Sequence, residues 1–482
     1  MQRGNQPVRR PVQRRPMTRR QYEALQRQRR QNRIAIAIMA GIAVLITVAV
    51  VLILRPKPVR DNTVQAVSAA ATAVPAQEDA TPDGGADEAV SEAAEIAVET
   101  TATIAPFEVP STQVAEATAV PELPSAISEV ASAPRTDGLR SVRMRMIGDI
   151  MICQSQLDYE KAGGYDFHGE FEMVADLLKN ADYTMGNMEG TIGKYNKKAY
   201  SGYPLFNCPE SILETLKDCG IDFLTLANNH MLDRYFDGMK ATVNWVEQYG
   251  FDHVGAYRTQ EERNTPVIYE IGGIRFGFVA YTHTTNTQER VCDPEGVAYG
   301  VPYLYKSDIE GDIKRLRDAG AEVVIAFPHW GKEYVRSPDS NQKKYAVKLA
   351  EAGADIIIGS HSHMVQPMGY QTIDNGNGTS KQVFTMFSMG NFISDHVLQY
   401  TDCGVILDFT VNEHPDGTFT CDNVGYIPIY TWQQNGAVKV LPSGRYLENR
   451  PTGMDDENYN RMVASYYEIV EVMGNQFQLI NG

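Results

Sequence analysis

The stretch that most limits the fold of this chain lies near residue 360, where an apolar run meets two histidines. Ile356–Ile358 are three consecutive β-branched residues, and Gly359 ends the run. Such a run predicts a buried strand that ends in a loop at the edge of a sheet. His361 and His363 follow in this loop, where side chains two positions apart can converge on one point. Imidazole is a common metal ligand, so the first hypothesis is a metal site, and the alternative is a polar loop with two solvated histidines.

The same arrangement recurs along the chain and predicts an α/β protein. Apolar or alternating runs predict further strands at residues 142–147, 183–185, 221–226, 274–281, 322–327 and 383–387. Segments of helical period lie between them, at residues 171–180, 211–219, 236–249, 307–319 and 341–352. Because strands and helices alternate, we expect an α/β sandwich. Turn residues at 414–417 predict a later hairpin, and residues 459–473 predict a closing helix.

Several predicted strands end in loops that carry metal-capable side chains. Besides the two histidines these are Asp149, Glu189, Asn229 with His230, and His329. Carboxyl ends of parallel strands meet at one edge of a sheet, which is where open α/β proteins keep their ligands. Mixed nitrogen and oxygen ligands suit one or two divalent ions such as Zn²⁺, Mn²⁺ or Fe. The six cysteines show no Cys-x-x-Cys spacing, which disfavours a zinc ribbon or a redox motif and leaves disulfides open.

Other polar residues are assigned to the pocket or to the surface. Asn391 either caps a turn or lines the pocket, His283 follows a predicted strand, and Trp330 packs or forms a pocket wall. The remaining histidines are interpreted as surface or structural residues: His168, His253, His396 and His414.

The N-terminal part predicts a membrane anchor. Residues 34–54 contain no charge and would span roughly 30 Å as a helix. Residues 1–33 hold eleven arginines and one glutamate, so this basic arm should stay in the cytoplasm, near anionic lipid headgroups, with the C-terminal part outside. A cleaved signal peptide is the alternative, but the apolar run exceeds the usual ~7–15 residues and basic residues follow it directly.

Residues 55–138 predict a disordered stem that leads to one folded domain. The segment is rich in Ala, Thr, Pro and Glu, with fourteen acids and one base in residues 61–138, so it buries too little apolar surface to fold. The alternative is a separate small domain. We expect a folded domain over residues 139–447, with its core at 142–396, and a C-terminal extension over 448–482 that carries the closing helix.

The motifs at the strand ends resemble the CapA family of bacterial capsule and poly-γ-glutamate synthesis proteins. The resemblance covers roughly residues 142–396, and in family order it comprises Gly148-Asp149, Asn187-Met-Glu189, Leu226 to His230 with Asp233, His329 to Tyr334, His361 to Gln366, and Ser388 to Phe392. It implies a metallophosphatase-like α/β/β/α sandwich, similar to the calcineurin-like fold.

The resemblance also implies roles for individual residues. Asp149 would be the first aspartate ligand, Glu189 the bridging carboxylate and Asn229 the asparagine ligand, while His329, His361 and His363 would be the late histidine ligands. His230 would be the proton donor, with Asp233 or Glu333 setting its tautomer. Met151 stands where dinuclear phosphatases have a histidine, and Glu189 is longer than the usual aspartate. These departures predict that one metal position is weaker.

Three functions follow from these features. The first is a membrane-anchored, extracytoplasmic role in the synthesis or export of an anionic polymer of the poly-γ-glutamate type, with a divalent-metal site. The second is an extracytoplasmic metallophosphoesterase or other metallohydrolase. The third is a non-catalytic scaffold for the subunits of a membrane polymer synthase. The sequence leaves open whether the site turns over a substrate, and no nucleic-acid partner is expected. Because residues 139–482 are acidic, they would repel polyglutamate unless metal ions or a basic patch offset the field.

Overall fold

The computed structural model describes residues 137–193, 199–374, 376 and 378–482. The predicted basic arm, the predicted membrane helix at 34–54 and the stem up to residue 136 lie outside these residues. Within the part that is described, no helix is long and apolar enough to cross a bilayer.

The strands follow the predicted runs closely. In chain order they are β1 (Ser141–Ile150), β2 (Tyr183–Met188), β3 (Thr191–Ile192), β4 (Asn207–Cys208), β5 (Phe223–Thr225), β6 (Asp252–Val254), β7 (Ile268–Ile271), β8 (Ile274–Thr282), β9 (Val323–His329), β10 (Ile356–Ile358), β11 (Met368–Asp374), β12 (Ser380–Met386), β13 (Asn391–Ile393), β14 (Cys403–Glu413), β15 (Phe419–Gln434), β16 (Ala437–Pro442) and β17 (Gln478–Leu479).

The helices lie mainly between the strands. They are α1 (Gln154–Glu160), α2 (His168–Phe171), α3 (Ala175–Lys179), α4 (Ser211–Asp218), α5 (Tyr235–Gln248), α6 (Gln260–Asn264), α7 (Pro294–Gly300), α8 (Ile309–Asp318), α9 (Ser340–Glu351) and α10 (Asp456–Met473). Side-chain caps begin several of them, for example Asp339 with Gln342 at α9, where each side chain bonds the other's backbone N–H.

Two mixed sheets form the centre of the described residues. One has the order β16-β15-β14-β1-β2-β5-β6, with β13 pairing with β1 and β17 with β15. The other has the order β11-β12-β10-β9-β8-β7. The strands β1, β2, β5 and β6 are mutually parallel, and so are β8, β9, β10 and β12. The predicted α/β class is therefore confirmed.

Three apolar layers stack across the molecule. One joins the first sheet to helices α3, α4 and α5, a second lies between the two sheets, and a third joins the second sheet to α8 and α9. The order of layers is thus helix, sheet, sheet, helix, as expected. Alternation along β1 shows the cause, because Met144 and Met146 enter the layer between the sheets while Arg145 points the other way and pairs with Asp408.

The structure corrects two sequence-based boundaries. The helix predicted at 171–180 is broken into α2 and α3, because Val174 leaves the helical conformation at φ −124° and caps α3. Residues 448–482 do not form an appended extension, since β17 pairs with β15 and α10 packs in the layer between the sheets. All six cysteines are free, so no disulfide constrains the fold.

Candidate metal centre

The loop after β10 carries the two histidines on a backbone that ordinary residues avoid. His361 has φ 94° and His363 has φ 55°, both in the left-handed region that non-glycine residues rarely adopt. Gly359 precedes them where it packs directly against the Phe387 carbonyl and the Trp330 ring, so no Cβ fits. Such strain persists only where the surroundings impose it, and it is typical of functional loops.

One group of metal-capable atoms comprises Glu189, His329 and His361, whose donor atoms lie within 4.8 Å of one another. His329 Nε2 is 3.1 Å from His361 Nδ1 and 3.8 Å from Glu189 Oε1. Asn229 joins them, with its Oδ1 2.8 Å from the same His329 Nε2. Two ring nitrogens and an amide oxygen converge at these separations, and each can offer a lone pair to a divalent cation.

A second group comprises Asp149, Glu189 and His363, again within 4.8 Å. Asp149 Oδ2 lies 3.5 Å from His363 Nδ1, and Glu189 Oε1 lies 3.9 Å from His363 Nε2. The other oxygen of Asp149 accepts a hydrogen bond of 2.8 Å from Asn187, which fixes the carboxylate. Glu189 belongs to both groups, in the position that the resemblance assigns to a bridging ligand.

The carboxylate of Glu189 is the observation that most needs an explanation. It is 1% exposed, and neither oxygen has a hydrogen-bond partner among the described residues. A buried, unpaired carboxylate costs several kcal/mol unless a cation or a proton compensates it. Burial, followed by the charge of Asp149, raises the pKa of Glu189 well above its usual range in the absence of a metal. The donor set therefore fits one or two divalent cations.

Asn391 fixes the tautomer of His363. Its Nδ2 donates to the Thr401 carbonyl at 2.9 Å, and a carbonyl can only accept, so the amide orientation is determined. Asn391 Oδ1 consequently accepts from His363 Nδ1 at 2.9 Å. This leaves His363 Nε2, which faces Glu189, as the atom available to a metal.

The electrostatics differ between the two groups of histidines. Burial, and then the neighbouring imidazoles, lower the pKa values of His329 and His361 well below the usual range, so both rings are neutral. Burial alone would lower the pKa of His363, but the carboxylates of Glu189 and Asp149 outweigh burial and raise the pKa to about 9. Neutral imidazole is the form that binds a metal. His329 and His361 are therefore already in the metal-binding form, whereas His363 must first release a proton.

His230 lies at the side of this cluster and is held by one carboxylate. Its Nδ1 is 2.7 Å from Asp233 Oδ2, which also accepts from the backbone N–H of Phe206 at 2.7 Å. The Phe206 ring packs edge-on against the imidazole at 4.7 Å between centroids. Its Nε2 lies 3.5 Å from the side-chain nitrogen of Asn286. Asp233, rather than Glu333, is thus the partner of His230.

The structure brings most of the predicted site residues together. His283 packs edge-on against His361 at 4.5 Å. Trp330 is buried and donates to the Phe387 carbonyl at 3.0 Å, and with His283 it also lines a cavity, so it both packs and forms a pocket wall. Glu333 is exposed, and Nδ1 of His230 is already taken by Asp233, so the alternative in which Glu333 sets the tautomer is wrong. Met151 is buried against Cys153 and Phe206 and offers no ligand.

Sequence reasoning missed one histidine. His396 was assigned to the surface or to structure, yet its ring lies 4.9 Å from that of His363, at 88°. Burial lowers its pKa to about 4. Its position five residues after Asn391, in the loop after β13, was the only available signal. His168 and His414 are on the surface, as expected, and His253 lies at the β6 edge, away from the cluster.

Comparison with known proteins gives consistent results. A family model described as "Bacterial capsule synthesis protein PGA_cap" matches residues 143–396. The capsule biosynthesis protein CapA of Bacillus anthracis is 28% identical over 289 residues, which cover 58% of this chain and 66% of that protein. The PGA biosynthesis protein CapA of Bacillus subtilis (strain 168) is 28% identical over 280 residues, covering 57% of this chain and 68% of the relative. The chain thus spans about two thirds of the length of these relatives.

Solved structures show weaker likeness. The calcineurin-like phosphoesterase YfkN from Bacillus subtilis matches with a TM-score of 0.36 and 17% identity, covering 69% of this chain and 98% of that one. A hypothetical protein from Thermus thermophilus matches with a TM-score of 0.34 and 14% identity, covering 59% of this chain and 98% of that one.

Proposed function

Because this chain belongs to the PGA_cap family of bacterial capsule synthesis proteins, we propose that it serves the synthesis or export of an anionic capsule polymer such as poly-γ-glutamate. In this proposal the described domain stands outside the cell membrane on the anchor and stem predicted at residues 34–138, and it acts through a divalent-metal centre in a metallophosphatase-like fold. The relatives named CapA support the polymer class.

The observation that carries the metal centre is the unpaired carboxylate of Glu189. It lies between His329 and His361 on one side and Asp149 and His363 on the other. These residues, with Asn229, would hold one or two ions of Mn, Zn or Fe. A bound divalent ion would supply Lewis acidity and neutralise charge that develops on a substrate oxygen.

The chain's own polar groups would orient a substrate and move a proton. Asn229 Nδ2 is buried without a partner among the described residues, so it can donate to a substrate oxygen. Asp233 holds His230 Nδ1, which leaves Nε2 as the atom that would donate to a substrate, and a carboxylate there stabilises the imidazolium. As a general acid, His230 would contribute roughly 10²–10⁴-fold to a leaving-group step.

Metal analysis of the full chain, purified in detergent, tests this proposal. We expect stoichiometric Mn, Zn or Fe by mass spectrometry after exhaustive desalting, and loss of at least one equivalent in Glu189→Gln. Glu333→Gln is the matched control, because Glu333 is a nearby but exposed carboxylate. Wild-type protein that retains no metal under any loading condition would contradict the proposal, and so would a Glu189→Gln chain with unchanged metal content.

A second candidate function is an extracytoplasmic metallophosphoesterase or related hydrolase. The observation that favours it is the His230–Asp233 pair beside the metal-capable cluster, because a pure scaffold has no use for a held proton donor. The test is turnover of chromogenic phosphodiesters and of γ-glutamyl polymer by the metal-loaded full chain. Tight metal binding without turnover of either substrate would rule this candidate out.

The membrane location has its own test. We expect the full chain to sediment with membranes and its C-terminal domain to be cleaved by protease added to intact spheroplasts. A chain that lacks residues 34–54 should appear in the soluble fraction.

A further inference from the structure

A cavity borders the metal centre that the proposed function does not use. It has a volume of about 300 Å³ and lies between the loop after β13, the strand β15 and the first turns of α10. Its lining includes His396, Tyr430, Gln433, Asp455, Glu457 and Asn458.

His396 connects this cavity with the metal centre. The ring lines the cavity and at the same time packs edge-on against His363, at 4.9 Å between centroids. The half-exposed ring of Tyr334 spans the same junction, 5.8 Å from His363 and 6.1 Å from His396. The His396 ring therefore contacts both the cavity and the metal-capable His363.

The contact with Asn391 indicates which ring nitrogen of His396 carries a hydrogen. Asn391 Nδ2, whose identity follows from its bond to the Thr401 carbonyl, also lies 3.1 Å from Ser394 Oγ and 3.2 Å from His396 Nδ1, and an amide nitrogen cannot accept from either. Because Nδ1 faces an N–H group, the ring carries a hydrogen on Nε2. Within the described part of the chain Nε2 has no hydrogen-bond partner, so an N–H group is presented to a ligand at the junction.

The loop that carries His396 is held in place from the cavity side. Gln433 Nε2 donates to the carbonyls of Ser394 and His396, at 3.2 and 3.0 Å. Arg461 donates to the Val397 carbonyl at 3.1 Å and pairs with Asp402 at 2.8 Å. The donor is therefore positioned before a ligand arrives, which reduces the entropic cost of binding.

The lining chemistry selects against anions. The carboxylates of Asp402, Asp455 and Glu457 outnumber the single Arg461, which already pairs with Asp402. The other polar groups are carboxamides, a phenol and the Thr431 hydroxyl, which exchange hydrogen bonds with hydroxyl and amide groups. A carboxylate or phosphate would enter against a negative field, whereas an uncharged polar unit would not.

We propose that this cavity is a binding subsite for an uncharged unit that carries hydroxyl and amide groups, adjacent to the unit held at the metal centre, with His396 Nε2–H as a direct donor. This inference rests on the proposed function only in that the metal centre is where the substrate reacts. It implies that the bound polymer is not negatively charged at every unit, because the unit in the cavity, next to the unit at the metal centre, is uncharged.

Calorimetry on the full chain in detergent tests the subsite with defined probes. The probes are the neutral tetramer of N-acetylglucosamine and the tetramer of γ-linked glutamate. We expect saturable binding of the neutral probe and affinity for the anionic probe at least tenfold lower. His396→Phe preserves the ring and removes the donor, so it should weaken neutral binding by about fivefold or more, the effect of one hydrogen bond. His414→Phe, at a partly exposed position next to a turn and outside the cavity lining, is the matched control and should bind as wild type does.

Two further variants keep the test decisive. Glu457→Lys, at an exposed position in the lining, should increase affinity for the anionic tetramer even if the His396 variant folds poorly. Glu189→Gln should lose metal but keep neutral binding, which separates failure of the metal centre from failure of the subsite. The inference is overturned by absent neutral binding in wild type, by equal affinity for both probes, or by a folded His396→Phe chain that binds unchanged.

Discussion

Asp233 shows how a single side chain prepares another for proton transfer. Its Oδ2 accepts from the His230 imidazole and from the Phe206 backbone, and both contacts are 2.7 Å. Burial raises the pKa of Asp233, while the hydrogen bond from His230 lowers it. The residue therefore acts through His230, as a positioning residue, and its removal should change chemistry more than folding.

We predict that Asp233→Asn lowers activity of the metal-loaded protein by about 10–100-fold, the usual effect of losing a partner that orients a functional histidine. Metal content should remain unchanged, because Asp233 is outside both donor groups. Asp237→Asn is the matched control, since Asp237 pairs with Lys240 on the surface of α5. Equal activity in the two variants, measured as phosphodiester turnover or polymer formation, would contradict the role of Asp233.

At the scale of elements, the loop after β10 depends on close packing with the loop after β12. The bridge between His329 and Ser360 and the hydrogen bond from Gly359 to Met386 bring the second sheet's strand ends together. A Cβ at Gly359 would collide with the Phe387 carbonyl and the Trp330 indole. The positions of His361 and His363 therefore depend on a glycine that makes no contact with the metal-capable atoms.

Gly359→Ala should lower the free energy of unfolding by about 1–3 kcal/mol, as overpacking of a well-packed site does, and should also reduce metal content. Gly169→Ala is the control, because a Cβ on this helical glycine meets no atom within 4 Å. Thermal unfolding and metal analysis of the two variants provide the comparison. A Gly359→Ala chain as stable and as metal-rich as wild type would show that the loop can relax.

Helix α2 contributes a buried carboxyl that makes stability depend on pH. Glu170 is 1% exposed, with one oxygen bonded to Gln156 at 2.8 Å and the other without a partner among the described residues. Burial raises its pKa to about 8. Between the unfolded value near ~4.3 and this value, the unfolded chain releases the proton while the folded chain keeps it, so this group lowers stability as pH rises.

Glu170→Gln should therefore stabilise the protein, and the gain should grow from pH 5 to pH 8 and then level off. The gain at pH 7 should be at most about 4 kcal/mol, from about 1.4 kcal/mol per pH unit. Chemical unfolding at several pH values measures it. Parallel stability profiles for the two proteins would show that Glu170 is not held protonated in the folded state.

At the scale of the whole molecule, the chain separates charge along its length. The basic residues of positions 1–33 contrast with a net charge of −16 for the full chain. The predicted scaffold function would act through the basic arm or the predicted helix at 34–54, whereas the proposed metal function would act through residues at 149–363, far along the chain from that arm.

We predict that the double change His361→Ala and His363→Ala abolishes polymer formation in cells, because it removes a ligand from each donor group. Deletion of residues 1–33 should reduce polymer formation only in part, through weaker attachment to anionic lipid. Polymer yield per cell, normalised to protein in the membrane fraction, distinguishes the two. The reverse pattern would favour the scaffold over the metal centre.

Much of the fold was available from the sequence, because it depends on local patterns. Apolar or alternating runs located β1, β2, β5, β8, β9, β10 and β12, and β10 matched at both ends. Asp149 and His329 lie at the carboxyl ends of β1 and β9, and the loops after β2, β5 and β10 contain Glu189, Asn229, His361 and His363. The parallel order of the strands therefore brings these residues to the same end of the sheets. The broken helix at residues 172–174 was not visible, because a helical period continues through it.

The tertiary structure decided the relationships between residues that lie far apart in the chain. The sequence located Asp233 and Glu333 as candidate partners of His230, but only the folded loops placed the first against the ring and the second in solvent. His396 packs against His363 of the metal centre, and Glu189 has no hydrogen-bond partner among the described residues. Both follow because segments from both sheets close around these two residues. Local propensity predicts where a strand ends, whereas the packing of one strand's loop against another determines which side chains share a proton, a metal or a cavity.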